Sequence, residues 1–193
     1  MNATKNNNMS GKRAGWIALL TAASVLFSLV FACATPFAAL ACLAALRLER
    51  RDAFALVGAS WLVNQVVGYG LLHYPQTWDS FAWGAVIGVA ALAATAIAFP
   101  VEARLRSERP LGTMVSAVSA LFAAFVTYEV VLFAATAFLP SGSAAFSAEV
   151  VLDILKINIG AFIGLLVLQR AGEWAGIAVP RLSRRTFGTT HRA

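Results

Sequence analysis

The chain is poor in charge, cysteine and histidine. Only 12% of its 193 residues are Asp, Glu, Lys or Arg, against roughly a quarter in ordinary soluble domains. No separate catalytic or nucleotide-binding domain fits, because the longest polar stretches are the two short tails. The two cysteines, Cys33 and Cys42, form no metal or redox motif. A disulfide between them is not expected, since Cys42 should lie well inside an apolar segment. The two histidines, His73 and His191, are far apart in the chain, which argues against a histidine metal site. Also missing are a serine nucleophile paired with a histidine inside an apolar run, an HExxH helix, and the aspartates that hold magnesium for lipid-phosphate chemistry. The expectation is a protein that is not an enzyme and carries no cofactor and no metal.

What the chain has is apolar sequence. Hydrophobic residues make up 60% of it, and the mean hydropathy is +0.75. Repeated apolar runs of about 18 residues or more indicate membrane spans. The fold predicted is all-α: a polytopic six-helix transmembrane bundle over residues 14–176. A disordered N-terminal tail, 1–13, precedes it and a basic C-terminal tail, 177–193, follows.

Residues 14–48 are apolar almost throughout. As one helix they would run about 50 Å at 1.5 Å per residue, too long for a hydrocarbon core of about 30 Å. A hairpin at Cys33-Ala34-Thr35-Pro36 divides them into a first span, 14–32, and a short second helix, Phe37 to Leu48. Pro36 suits the first turn of a new helix and pushes Thr35 out of helical geometry. Ala32-Cys33-Ala34 resembles a signal-peptide cleavage site, but the apolar region exceeds the 7–15 residues of a signal core and resumes at once. The later spans are placed at Asp52–Leu72, Phe81–Phe99, Leu111–Leu139 and Ser147–Arg170. Gly84 and Gly88, and again Gly160 and Gly164, have the spacing that lets helices approach closely. No inverted repeat of the kind found in many transporters is visible.

The net charge of +6 does not point to nucleic acid. Lys5, Lys12 and Arg13 precede the first span. Arg47, Arg50 and Arg51 lie between the second and third, Arg104, Arg106 and Arg109 between the fourth and fifth, and Arg170, Arg181, Arg184, Arg185 and Arg192 at or after the end of the sixth. The positive-inside rule then puts both termini in the cytoplasm.

One basic residue breaks the pattern. Lys156, with Asp153 and Asn158, stands inside the last span, where an ionisable group costs at least about 2.5–3.5 kcal/mol. Counting residues from the outer ends puts Asn64, Gln65, Glu129 and Lys156 at a shared depth, roughly 11–15 Å below the outer surface. This predicts one outward-opening polar pocket, roofed by the Cys33–Pro36 hairpin and the His73–Asp79 loop. The candidate ligand-binding residues are Asn64, Gln65, Tyr69, Trp83, Tyr128, Glu129, Asp153, Lys156 and Asn158, with Trp61 as a further wall. Three readings stand side by side. Lys156 pairs with Asp153 or Glu129 while the amides bond between helices; or the groups orient a polar ligand; or Glu129 and Asp153 relay protons.

Ala14, Ala18 and Ala22 recur every fourth residue at the cytoplasmic end of the first span, a flat strip suited to close helix contact. With six helices in under two hundred residues, both termini inside and an outward polar site, this strip resembles the AxxxA docking motif of the substrate-binding membrane subunits (S components) of energy-coupling-factor vitamin transporters. The resemblance implies a multi-pass protein of a bacterial inner membrane that captures a small polar, vitamin-like ligand. It implies docking through Ala14, Ala18 and Ala22 on a transmembrane coupling subunit served by ATPases. The alternative is a non-catalytic accessory subunit of a larger membrane complex, partnered by the lipid bilayer and other helices only.

Overall fold

A computed structural model describes residues 35–107, 109–139, 141–142 and 146–174. The first apolar segment, both tails, the possible cleavage site and the Ala14, Ala18, Ala22 strip lie outside the described residues. Within them the fold is all-α, with five helices: α1 Phe37–Arg47, α2 Arg50–Gly70, α3 Trp78–Leu105, α4 Pro110–Ala135 and α5 Ala148–Trp174. They correspond to the second through sixth predicted segments, with ends moved by a few residues.

Local sequence explains the boundaries. α1 is built from Ala and Leu, which favour helix, and starts directly after Pro36. It stops where Leu48 turns extended, at φ −113° and ψ 157°. Thr77 caps α3 by accepting from the Ser80 backbone N–H at 3.3 Å. Pro110 opens α4 at a first-turn position that needs no N–H partner. The Ser147 hydroxyl accepts from the Val150 N–H at 3.3 Å and starts α5. Between α2 and α3 the chain turns through His73, whose φ of 55° is left-handed.

α1 is the hub. Nine of its eleven residues are buried, on every face, as expected of a helix apolar all round. It touches each of the other four helices, and α3 packs most extensively against α4. α5 leans mainly on α1 and scarcely meets α4. At 1.5 Å per residue, α1 reaches only about 17 Å, near half the ~30 Å hydrocarbon thickness.

Size decides what faces inward. α3 buries Gly84, Gly88, Ala90, Ala91, Ala94 and Ala98, whereas Val89, Leu92 and Ile97 are exposed. α4 likewise exposes Met114, Val118, Phe122, Val126 and Phe133. Small residues inside and large apolar residues outside are the arrangement of a bundle that meets lipid rather than water. α3, α4 and the stretch Ala148–Ala171 of α5 are each long and apolar enough to cross a membrane. α2 matches them in reach, with 21 residues, but Arg50, Arg51, Asp52, Asn64 and Gln65 dilute its apolar character. Among the described residues this is the pattern of a multi-pass membrane protein, with three candidate spans.

Candidate functional site: a polar cavity over the end of a half-length helix

Because α1 is only half-length, the described residues leave a space beyond its N-terminus. The cavity there has a volume of about 360 Å³. It lies toward the loops that carry no Lys or Arg, 71–77 and 136–147, opposite the end rich in arginine. Thr35, Phe37, Asn64, Trp83, Tyr128, Ser141, Gly142, Phe146 and Asn158 line it, with Ile87, Leu132 and Ile154.

Each polar wall is held in place. Asn158 on α5 is 3% exposed. Its Oδ1 accepts from the Ala39 N–H at 3.1 Å, satisfying one of the donors that a helix start leaves without an intrahelical partner. Its Nδ2 donates to the Ile154 carbonyl at 3.0 Å. Asn64 Nδ2 donates to Thr35 Oγ1 at 2.7 Å, which ties α2 to the chain entering α1. Gln65 Nε2 donates to Asn64 Oδ1 at 3.3 Å and so orients it from behind. Trp83 Nε1 donates to Ser141 Oγ at 2.9 Å, and that hydroxyl donates to Asp79 at 2.5 Å. Tyr128 sits against Phe37, ring centroids 6.1 Å apart.

Of the nine candidate residues, Asn64, Trp83, Tyr128 and Asn158 are brought together as walls. Gln65 stands one layer back. Tyr69 is part of an outer corner instead: it stacks on Phe81 at 4.7 Å, meets Tyr74 edge-on and bonds Ser80 at 3.0 Å. Trp61 also points elsewhere, donating to the Gly84 carbonyl at 2.8 Å. Glu129 follows Tyr128 but does not line the cavity, and its buried Oε1 has no hydrogen-bond partner among the described residues. Lys156 and Asp153 are not in the cavity. They pair with each other at 2.8 Å, one turn apart, with side chains 74% and 59% exposed. Equal depth along separate helices therefore did not mean a shared face: Asn158 is two positions from Lys156, and that step turns a helical side chain by about 200°.

The glycine pairs also differ from expectation. At Gly84 an added Cβ would fall 2.5 Å from Gln65 Oε1, and at Gly88 2.7 Å from the Trp61 ring. These glycines receive side chains of α2 rather than a bare helix backbone. Gly160 faces open space.

The roof comes from Ser141, Gly142 and Phe146, which the sequence reading did not single out. The small residues Ser141-Gly142-Ser143 after Pro140 were the available signal. A Cβ on Gly142 would overlap the Trp83 ring, so this loop can lie flat on the indole only with glycine there. Compared with known proteins, the chain matches no family model, no curated protein and no solved structure.

Proposed function

We propose that the protein is a substrate-capturing membrane subunit that takes a small, polar, ring-containing molecule of vitamin size into this cavity from the non-cytoplasmic side. The observation that carries this reading is the cavity itself: amides from α2 and α5 and aromatic walls from α3 and α4, set over the buried start of α1. Its volume lies in the range of ordinary ligand pockets, about 300–1,000 Å³. The indole and phenol offer flat surfaces, the amides offer both donors and acceptors, and the positive end of α1 favours a carbonyl or carboxylate oxygen. Helices broken at membrane depth are tolerated where they line a cavity, and transporters use such half-helix ends to hold substrate. The arginine-rich end faces the cytoplasm by the positive-inside rule. In the full reading, residues 14–32 supply the first of six spans, both termini are cytoplasmic, and the membrane is a bacterial inner membrane. A coupling subunit with ATPases would drive release, as in the S components that the layout resembles.

Equilibrium binding of the purified protein to a panel of water-soluble vitamins tests the proposal. Saturable binding that Asn64→Ala and Trp83→Ala each weaken tenfold or more, in folded protein, supports it. Binding that ignores both substitutions but falls with Lys156→Ala would move the site to the outer face of α5 and refute it.

The exposed Asp153–Lys156 pair favours a second reading. An ion pair on the outside of a membrane helix calls for a polar neighbour, so this face of α5 suits a helix of another membrane subunit. Site-specific crosslinking from Gly160 in native membranes distinguishes the two. A coupling subunit among the products fits capture; only components of an unrelated complex fit the accessory role.

A further inference from the structure

Among the described helices, every face of α1 has a neighbour except one. Ala38, Ala41 and Ala45 pack with Ala94 and Ala98 of α3. The Cys42 Sγ reaches the Ala117 carbonyl of α4 at 3.4 Å, and the Ala39 N–H meets Asn158 of α5. α2 brings Ala53, Leu56 and Val57 into the same core. At about 100° per residue, Leu40 and Leu43 point roughly 130–170° away from the three alanines. That direction falls between α2 and α5, and these two helices do not pack against each other. Leu40 and Leu43 are nonetheless each 1% exposed, so something fills the slot over them.

The α2 wall of this slot carries a polar group that lacks a partner. Ser60 follows Leu56 by one turn, on the side of α2 turned from α3; Trp61 and Gln65, which meet Gly88 and Gly84, take the α3 side. Ser60 is 1% exposed, and its Oγ has no hydrogen-bond partner among the described residues. A hydroxyl buried in that state carries its full desolvation penalty. Chain continuity points to the occupant. Thr35, the first described residue, is tied to Asn64 of α2 at 2.7 Å, so the preceding chain arrives on the α2 side of α1. Residues 14–32 carry no charge. As a helix they would run about 28 Å, close to the ~30 Å hydrocarbon thickness.

We propose that residues 14–32 dock as a helix in the slot between α2 and α5, over Leu40 and Leu43, and that Ser28 supplies the missing partner of Ser60. The register follows from the connection. Ser60 lies one turn, about 6 Å, from the Asn64 level toward the arginine-rich end. Ser28 lies the same distance before Ala32, where the segment turns toward Thr35. α1 is then enclosed on every side, and two hydroxyls satisfy one another across a helix contact shielded from water. The placement does not depend on what the polar cavity holds.

Disulfide trapping of the full chain in membranes reads this placement directly. The background carries Cys33→Ala and Cys42→Ala, so that only introduced thiols react. Ser28→Cys paired with Ser60→Cys should then form an intramolecular bond on oxidation, seen as a mobility shift that reductant reverses. Phe122, at a similar height on α4 and 59% exposed, faces away from the slot and serves as the comparison. A disulfide needs Cβ atoms about 3.5–4.5 Å apart, so the Ser28–Ser60 pair should crosslink roughly ten-fold more than Ser28→Cys paired with Phe122→Cys. Crosslinking to position 122 in preference to position 60 puts the segment against α4 and overturns the proposal. So does the absence of any bond when each of positions 26–30 is paired in turn with Ser60→Cys. A bond between positions 28 and 60 found only between two chains also overturns it.

Discussion

The two openings of this bundle, the polar cavity and an apolar groove lined by Leu121 of α4 and Phe162 of α5, share a helix pair and differ in almost everything else. Both lie where α4 and α5 diverge, and both are backed by α1. Beyond the N-terminus of α1 the lining is amide, hydroxyl and aromatic, and its amides, its indole and Ser141 are oriented by hydrogen-bonded neighbours. Beside the C-terminal half of α1 the lining is aliphatic, and polarity is confined to the rim. The difference follows from where a helix leaves its backbone unsatisfied. The start of α1 exposes N–H groups at membrane depth, where Asn158 must answer them. The flank of α1 has its hydrogen bonds made internally and asks only for packing. A short buried helix therefore creates a polar site at one end and an apolar groove along its side.

The largest expected effect comes from attacking what the two share. Ala44 in α1 is 0% exposed, and Ala44→Phe would force α1 away from its neighbours. Overpacking of this kind costs about 1–3 kcal/mol or more. Thermal unfolding in detergent should show a clear loss of stability, together with loss of ligand binding. Asn158→Leu should act on the polar opening alone. It strands the Ala39 N–H, at about 1–3 kcal/mol, and should abolish binding in the polar cavity while the bundle stays folded. Gly142→Ala acts more locally, through overlap with the Trp83 ring. It should lift the roof and weaken ligand binding roughly tenfold, about 1.4 kcal/mol, with little change in melting temperature. The smallest effect is expected from Asp153→Leu combined with Lys156→Leu. The pair is exposed and neutral as a unit, and leucine suits the outside of a membrane helix better than a charge does, so the double variant should lose no stability and leave both openings unaffected. A loss of native-membrane crosslinks from α5 in that double variant would mark this face as the contact for another subunit.

The helices were legible because their signals are local. Pro36 and Ser147 mark starts that depend on the adjoining few residues, and the apolar runs are long; Thr77 and Pro110 carry the same kind of signal, slightly ahead of the starts expected at Phe81 and Leu111. Rise per residue is constant, so the sequence orders polar groups by height along each helix, but it does not say which of them share a face. Asn64, Trp83, Tyr128 and Asn158 converge because each helix is rotated so that small residues face inward, and that rotation is settled by packing against α1. The same rotation turns Lys156 and Asp153 outward, where the strongest sequence anomaly proved to be an ion pair one turn long. The groove between α4 and α5 had no sequence signature, because its lining is the same alanine, leucine and phenylalanine that elsewhere fill the core.

From the chain alone come the spanning character, the short helix after Pro36 and the arginine-rich end, all set by hydrophobic length, proline geometry and charge at span ends. The tertiary structure alone decided which polar groups meet and where space is left. Those outcomes depend on how far neighbouring helices can close around a buried helix that is too short to fill the bundle's full height.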